Sequence, residues 1–233
     1  MKNGNSISYS YALCNKYRTT ARLLRDEAGT LLDVGSRDCI LQKFLPPGQL
    51  SYFSADVAPG LDYQIDLEKP LPFDDGAFDH VVALDVFEHV GNIHTAVAEV
   101  LRITRRTATI ALPNLASIRH RLSFLFRGRM GTDKYDLTPE RRPDRHHWLT
   151  IRPQIDRFIR ANAPRHGFAV KAQIAESESG ALRPIATLSL ALGLHFDGLF
   201  SARSIYHLAR AQKARVESRC ESLAGELCTA ANV

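Results

Sequence analysis

The stretch LLDVGSRDC, residues 31–39, decides how the rest of the chain is read. An apolar run carrying one aspartate ends in a glycine. That is how a buried strand enters a tight turn. Nucleotide-binding turns at such a place usually carry two or three glycines, and this one carries only Gly35. Gly35 can take backbone angles closed to other residues and let the chain pass close to a ligand.

Working outward, the same pattern repeats. Strands are predicted at LSYFSADVA (50–58), DYQIDLEK (62–69), HVVALDV (80–86) and TATIALPN (107–114). HVVALDV is nearly all apolar, which suits the centre of a parallel sheet. Between them, CILQKFL (39–45) and NIHTAVAEVLRIT (92–104) have helical spacing, and residues 9–28 read as an amphipathic helix stopped by Gly29. Beyond a basic, irregular stretch at 115–150 come a helix at 151–167, strands FAVKAQIAE (168–176) and SIYHLARA (204–211), and between them the apolar segment 181–200. Alternating strand and helix predicts an α/β fold: a doubly wound, mostly parallel sheet of seven strands with helices on both faces. The expected organisation is a helical cap at 1–28, one domain at 29–210 with a basic insertion at about 115–150, and a tail at 211–233.

Composition narrows the classes. The chain has 233 residues, 45% of them hydrophobic and 24% charged, which suits one globular domain. Its four cysteines form no CxxC pair, so neither a zinc motif nor a disulfide framework is expected. His89 and His94 in FEHVGNIH are five apart and do not share a helix face, so no metal site is expected. No apolar run is long enough to span a bilayer or make a signal peptide, and the expected location is cytoplasmic. Between Arg102 and Arg165 there are 15 Lys/Arg against 5 Asp/Glu, a positive field open to an anionic substrate, nucleic acid or membrane surface.

Asp33, Asp56, Asp66 and Asp85 all fall at strand ends. Parallel strands put those ends on one side, so all four are expected to face one crevice. Asp56, 23 residues after Asp33, suits the hydroxyls of a ribose. Asp66 can accept from an adenine amino group. Four carboxylates disfavour a pyrophosphate, which seeks glycines and a helix N-terminus. They favour a cationic ligand without phosphate.

LLDVGSRDC, YFSADVAPG, YQIDLEKPLPFDDGAFDHVVALDVFEHV and TATIALPN resemble the successive motifs of class I S-adenosylmethionine-dependent methyltransferases. The likeness covers about residues 30–114 and is strongest to the small-molecule, type 11 branch. It implies a Rossmann-like fold and S-adenosyl-L-methionine as cofactor. By position it implies that Asp33, Gly35, Ser36 and Arg37 form the loop against the methionine moiety. Asp56 then holds the ribose with Val57 beside the adenine, Asp66 and Leu67 contact the adenine, and Asp85 and Val86 line the floor near the sulfonium. His89 lies a turn further on, towards the substrate. The departures are Arg37 and Cys39, which stand where the motif has its second and third glycines.

DRHHWLTIRPQIDRFI (144–159) resembles the segment before the next helix in related bacterial enzymes. His146 and His147 are its candidate general bases, against bracing of the loop as the other role. RHRLSFLFRGR (119–129) interleaves arginine with Leu and Phe. As a lid it would turn its apolar face inward over the site, and the alternatives are membrane-surface or nucleic-acid contact. The resemblance implies methyl transfer, by direct in-line attack, to a small, lipid-linked or sugar-linked acceptor. Other readings are an RNA methyltransferase, supported only by the basic region, and a non-catalytic binding protein that kept the fold. A nicotinamide-dependent oxidoreductase lacks its glycine fingerprint.

Overall fold

The computed structural model of the chain describes residues 8–13, 15–137, 139, 144–177, 184, 188 and 197–211. Its eight described strands are β1 (Ser8–Leu13), β2 (Gly29–Val34), β3 (Leu50–Asp56), β4 (Tyr63–Gln64), β5 (Phe78–Leu84), β6 (Thr104–Pro113), β7 (Phe168–Ser177) and β8 (Arg203–Arg210). They form one sheet in the order β1-β7-β8-β6-β5-β2-β3-β4. Only β8 runs antiparallel to its neighbours, β6 and β7. The main helices are α1 (Lys16–Leu23), α2 (Ile93–Ile103), α3 (Ile118–Arg127) and α4 (Arg152–Asn162).

The sheet is wide because β5 is sealed on both faces. Every residue from Phe78 to Leu84 is buried. Successive side chains point to opposite faces. Val81 and Ala83 therefore join a core with α2 and α4, while Val82 and Leu84 join one with Leu24, Leu41 and Tyr17. Helix α2 buries Ile93, Ala96, Val97, Val100 and Leu101, the spacing of one helical face. Asn92 caps it by accepting from the Thr95 amide (3.2 Å). Helix α4 carries Pro153 in its first turn, and the following 3₁₀ turn stops at Gly167 in the left-handed region (φ 75°).

Three local expectations change. Residues 9–28 are not one helix: Ser8–Leu13 is an edge strand paired in parallel with β7, and the helix begins at Lys16. This strand makes the sheet eight-stranded where seven were expected. The alternation Ser-Tyr-Ser-Tyr has a strand's period of two, and one side of its backbone is paired with β7. CILQKFL forms only a single 3₁₀ turn, Leu41–Phe44, before Pro46 and Pro47 prevent extension. DYQIDLEK shrinks to two residues of strand, because after Gln64 the chain turns to place Asp66 and Leu67 beside the strand ends. The segment 181–196, apart from residues 184 and 188, and the tail from 212 lie outside the described residues.

Candidate active site

Strands β2, β3 and β5 end on one side of the sheet, and a cleft of about 500 Å³ opens there. Gly35, Arg37, Asp56, Val57, Asp66, Leu67, Asp85 and Val86 line it, with Lys16, His89, Lys134 and Asp144 among the others. Gly35 is required twice over. Its φ of 76° suits glycine, and a Cβ there would meet Val86 Cγ2 at 2.8 Å. Cys39, at the motif's third glycine position, also has a positive φ of 48°. A glycine would take that backbone without strain.

Asp33 and Ser36 do not line the cleft. The Ser36 hydroxyl accepts from the Ala55 amide (3.0 Å) and ties the turn to β3. Asp33 is buried below the turn and accepts from the Tyr52 hydroxyl (2.8 Å). Burial pushes its carboxyl up to about 7, against the lowering effects of the Tyr52 hydrogen bond and the Lys16 charge. So three of the four strand-end acids reach the cleft, and Asp33 supports it from beneath.

Asp85 lines the cleft in company. At φ 58° it holds Lys16 (3.0 Å) and Arg203 (2.6 Å). Burial alone would raise its carboxyl, but Arg203 and then Lys16 outweigh that and hold it below the usual range. Arg203 also reaches Glu176 (3.0 Å), which accepts from the Thr19 hydroxyl (2.6 Å). Helix α1, β5, β7 and β8 thus meet in one buried ionic chain. Sequence reasoning missed Lys16, Glu176 and Arg203, because nothing local marks residues 118 apart as partners. The acids free of such pairing in the cleft are fewer than the sequence implies. Asp56 caps the next turn by accepting from the Ala58 amide, and Asp66 sits by Lys69 at 3.2 Å.

The rest of the lining comes from His89 and Val90 with Lys134 and Asp144. The His147 amide donates to the Glu88 carbonyl (2.7 Å), and the Trp148 indole donates to the Val90 carbonyl (2.7 Å). Those bonds brace the loop, the second role considered for this group. The His147 residue is otherwise exposed. The His146 ring lies edge-on to His89 at 4.6 Å and to Tyr135 at 5.2 Å. Burial, then the charges of His89 and Lys134, lower His146 to about 4. Burial, then Lys134, lowers His89 as well. Both rings are neutral near pH 7. Glu88, missed in the sequence although it stands beside His89, is pushed up to about 8 by burial and then by Asp85.

Helix α3 does not turn its apolar face inward. Leu122, Phe124, Leu125 and Phe126 are 44–78% exposed, and only His120 on this helix is buried. At 100° per residue those four positions cover more than one face, so no single docking side can hold them all.

A parallel sheet whose strand ends open on such a cleft, with a glycine turn after its first central strand, defines the class I methyltransferase architecture. Residues 41–112 match the model of the type 11 family, described as "Methyltransferase domain". Several solved structures share the fold. A Bacillus halodurans protein described as a methyltransferase is 12% identical, with 84% of this chain and 99% of that one covered and a TM-score of 0.54. The small RNA methyltransferase HEN1 is 17% identical, with 91% and 28% covered and a TM-score of 0.55. The CurJ carbon methyltransferase is 14% identical, with 84% and 54% covered and a TM-score of 0.51, so this chain spans about half of it. Among curated protein sequences nothing matches significantly. Over residues 41–112 the chain matches that family's methyltransferase domain, and its fold is that of these solved methyltransferases. The cleft offers carboxylates at Asp56, Asp66 and Asp85 and a close backbone approach at Gly35.

Proposed function

We propose that the enzyme methylates a small, lipid-linked or sugar-linked metabolite by direct in-line attack of the acceptor on the sulfonium methyl. The observation that carries this reading is one cleft lined both by the strand-end residues Gly35, Asp56, Asp66 and Asp85 and by His89, Lys134 and Asp144. In this reading Asp56 holds the ribose hydroxyls, Val57 and Leu67 flank the adenine, and Asp66 accepts from its amino group. Gly35 and Arg37 meet the methionine moiety. Asp33 and Ser36 act from below, by holding the turn. Asp85, already bound by Lys16 and Arg203, fixes the floor. The acceptor enters from the side of His89, Lys134 and Asp144. Alignment of nucleophile, methyl carbon and sulfur supplies much of the rate in such a transfer.

The test is methyl transfer from labelled cofactor to a metabolite extract. Label in a small or lipid-extractable product supports the reading, and label only in RNA overturns it. The arginines of 102–165, among them the exposed Arg121, Arg127 and Arg129, favour RNA as the second reading. That reading requires RNA affinity that falls steeply with salt. The exposed Leu122, Leu125 and Phe126, at i, i+3 and i+4 on one side of α3, support contact with a membrane surface during delivery of a lipid-linked acceptor. Among the described residues no helix is long and apolar enough to cross a membrane.

A further inference from the structure

We propose that Glu88, His89 and His146 form a divalent-cation site at the acceptor end of the cleft, which takes an acceptor hydroxyl with a second oxygen beside it. No sequence motif spells this site, because His146 comes from a loop 57 residues beyond His89. The fold brings one ligating atom from each side chain to within 4.8 Å of the others. Some point then lies no more than about 2.8 Å from all three, and small side-chain shifts reach the roughly 2.0–2.2 Å of a bound cation.

Glu88 gives the second observation. It is 1% exposed, and its Oε2 has no hydrogen-bond partner among the described residues. A buried carboxylate oxygen with nothing to accept from is costly unless something positive arrives. The histidines are already oriented to supply lone pairs. His89 Nδ1 lies 3.1 Å from the Arg145 carbonyl, so Nδ1 carries the proton and Nε2 is free to ligate. The Tyr135 hydroxyl donates to the Trp148 carbonyl and therefore accepts from His146 Nδ1 at 3.2 Å. That leaves His146 Nε2 free to ligate too. Hydrogen bonds of this kind, from the far ring nitrogen to a carbonyl or hydroxyl, orient metal-bound histidines.

The site has the composition of a reactive centre. Asp85, the nearest other acid in the sequence, is held by Lys16 and Arg203. Three protein ligands leave coordination positions open for an incoming molecule. Two imidazoles and one carboxylate suit Zn²⁺ or Mn²⁺ better than Mg²⁺, which prefers oxygen alone. His89 lines the cleft and its amide donates to the Val86 carbonyl (3.1 Å), so a cation held there borders the same cleft as Gly35 and Asp56.

The acceptor class rests on the methyl-transfer reading above. A bound cation favours the deprotonated oxygen of a hydroxyl, and a neighbouring oxygen completes the chelate. The hydroxyl proton leaves to solvent, the oxygen–carbon bond forms as the carbon–sulfur bond breaks, and the neutral sulfide departs. The cation itself undergoes no redox change.

The test begins with full-length protein stripped by chelator, then dialysed separately against Zn²⁺ and against Mn²⁺, with bound metal counted per chain. The expected result is one ion per folded chain, with affinity reduced at least about tenfold in both Glu88→Gln and His146→Gln. His166→Gln, at the far end of the sheet, is expected to match the unaltered protein. If either variant fails to fold by circular dichroism, Tyr135→Phe replaces it, with weakened affinity expected. No stoichiometric uptake, or uptake unchanged in these variants, overturns the site. Calorimetry with S-adenosylmethionine on the same stripped protein is read independently. Cofactor heat without metal uptake therefore ends the cation proposal while leaving methyl transfer standing.

Discussion

The cofactor wall of the cleft hangs on neighbouring strand ends, while the acceptor wall is assembled from a loop folded back over Phe87–Val90. In the first wall, Gly35, Asp56 and Asp66 each follow directly from a strand or its turn. In the second, His89 meets His146 and Glu88 meets His147 only through contacts across more than fifty residues. Strand ends are fixed by the ladder, so their side chains are placed by local pattern. The loop is fixed by hydrogen bonds such as Trp148 to Val90, and its site exists only once the whole domain is folded. A third element, the buried chain Lys16–Asp85–Arg203–Glu176, ties the two walls to the sheet between them.

Breaking that tie has the largest expected effect. Arg203→Leu leaves two buried carboxylates, Asp85 and Glu176, without their guanidinium. A loss of about 3–5 kcal/mol is expected, read by urea unfolding. A change under about 1 kcal/mol would mean that the ionic chain contributes little. Gly35→Ala attacks the cofactor wall alone. The left-handed backbone costs an alanine about 1–2 kcal/mol, and the contact with Val86 adds to it. A fall in cofactor affinity of at least about tenfold is expected, with the acceptor wall's Trp148 fluorescence unchanged.

A smaller effect separates support from contact at Asp33. Its folded carboxyl titrates at about 7, above the ordinary value. Between about pH 4 and pH 7 the folded chain therefore keeps a proton that the unfolded chain releases, and its contribution to stability falls as pH rises. The groups facing it are Tyr52, which donates to it, and Lys16. Asp33→Asn stays neutral throughout. It is expected to flatten the fall in thermal midpoint over that window while cofactor affinity changes little. An unchanged pH profile would contradict the buried placement. The smallest effect is at Cys39→Gly, where relief of a φ of 48° is worth at most about 1 kcal/mol of added stability, read by the same unfolding curves.

The same contrast explains what was legible in the sequence. The order β2 to β6 and the placement of Gly35, Asp56 and Asp85 at the cleft follow from apolar runs that end in those residues. Cys39 holds a left-handed backbone (φ 48°), a conformation that its residue type does not announce in the sequence. The neutralisation of Asp85 was not legible, because Lys16 and Arg203 come from opposite ends of the chain. Edge strand β1 was hidden by neighbouring Ala, Leu and basic residues that suggested a helix, although its first four residues alternate. On α3 the spacing was helical as expected, but sequence pattern does not say whether an interleaved face is covered, and Phe126 stands 78% exposed. Glu88 and His146 show the same limit at the acceptor wall, where proximity is a property of the fold.

The most direct test of the central claim, that this cleft holds S-adenosylmethionine through its strand-end acids, is titration calorimetry with the cofactor on the intact protein and on Asp56→Ala. One site per chain is expected, weakened roughly 10- to 150-fold by the substitution, the equivalent of about 1.5–3 kcal/mol for hydrogen bonds to a charged group. No measurable binding by the intact protein, or equal binding by Asp56→Ala, would contradict it.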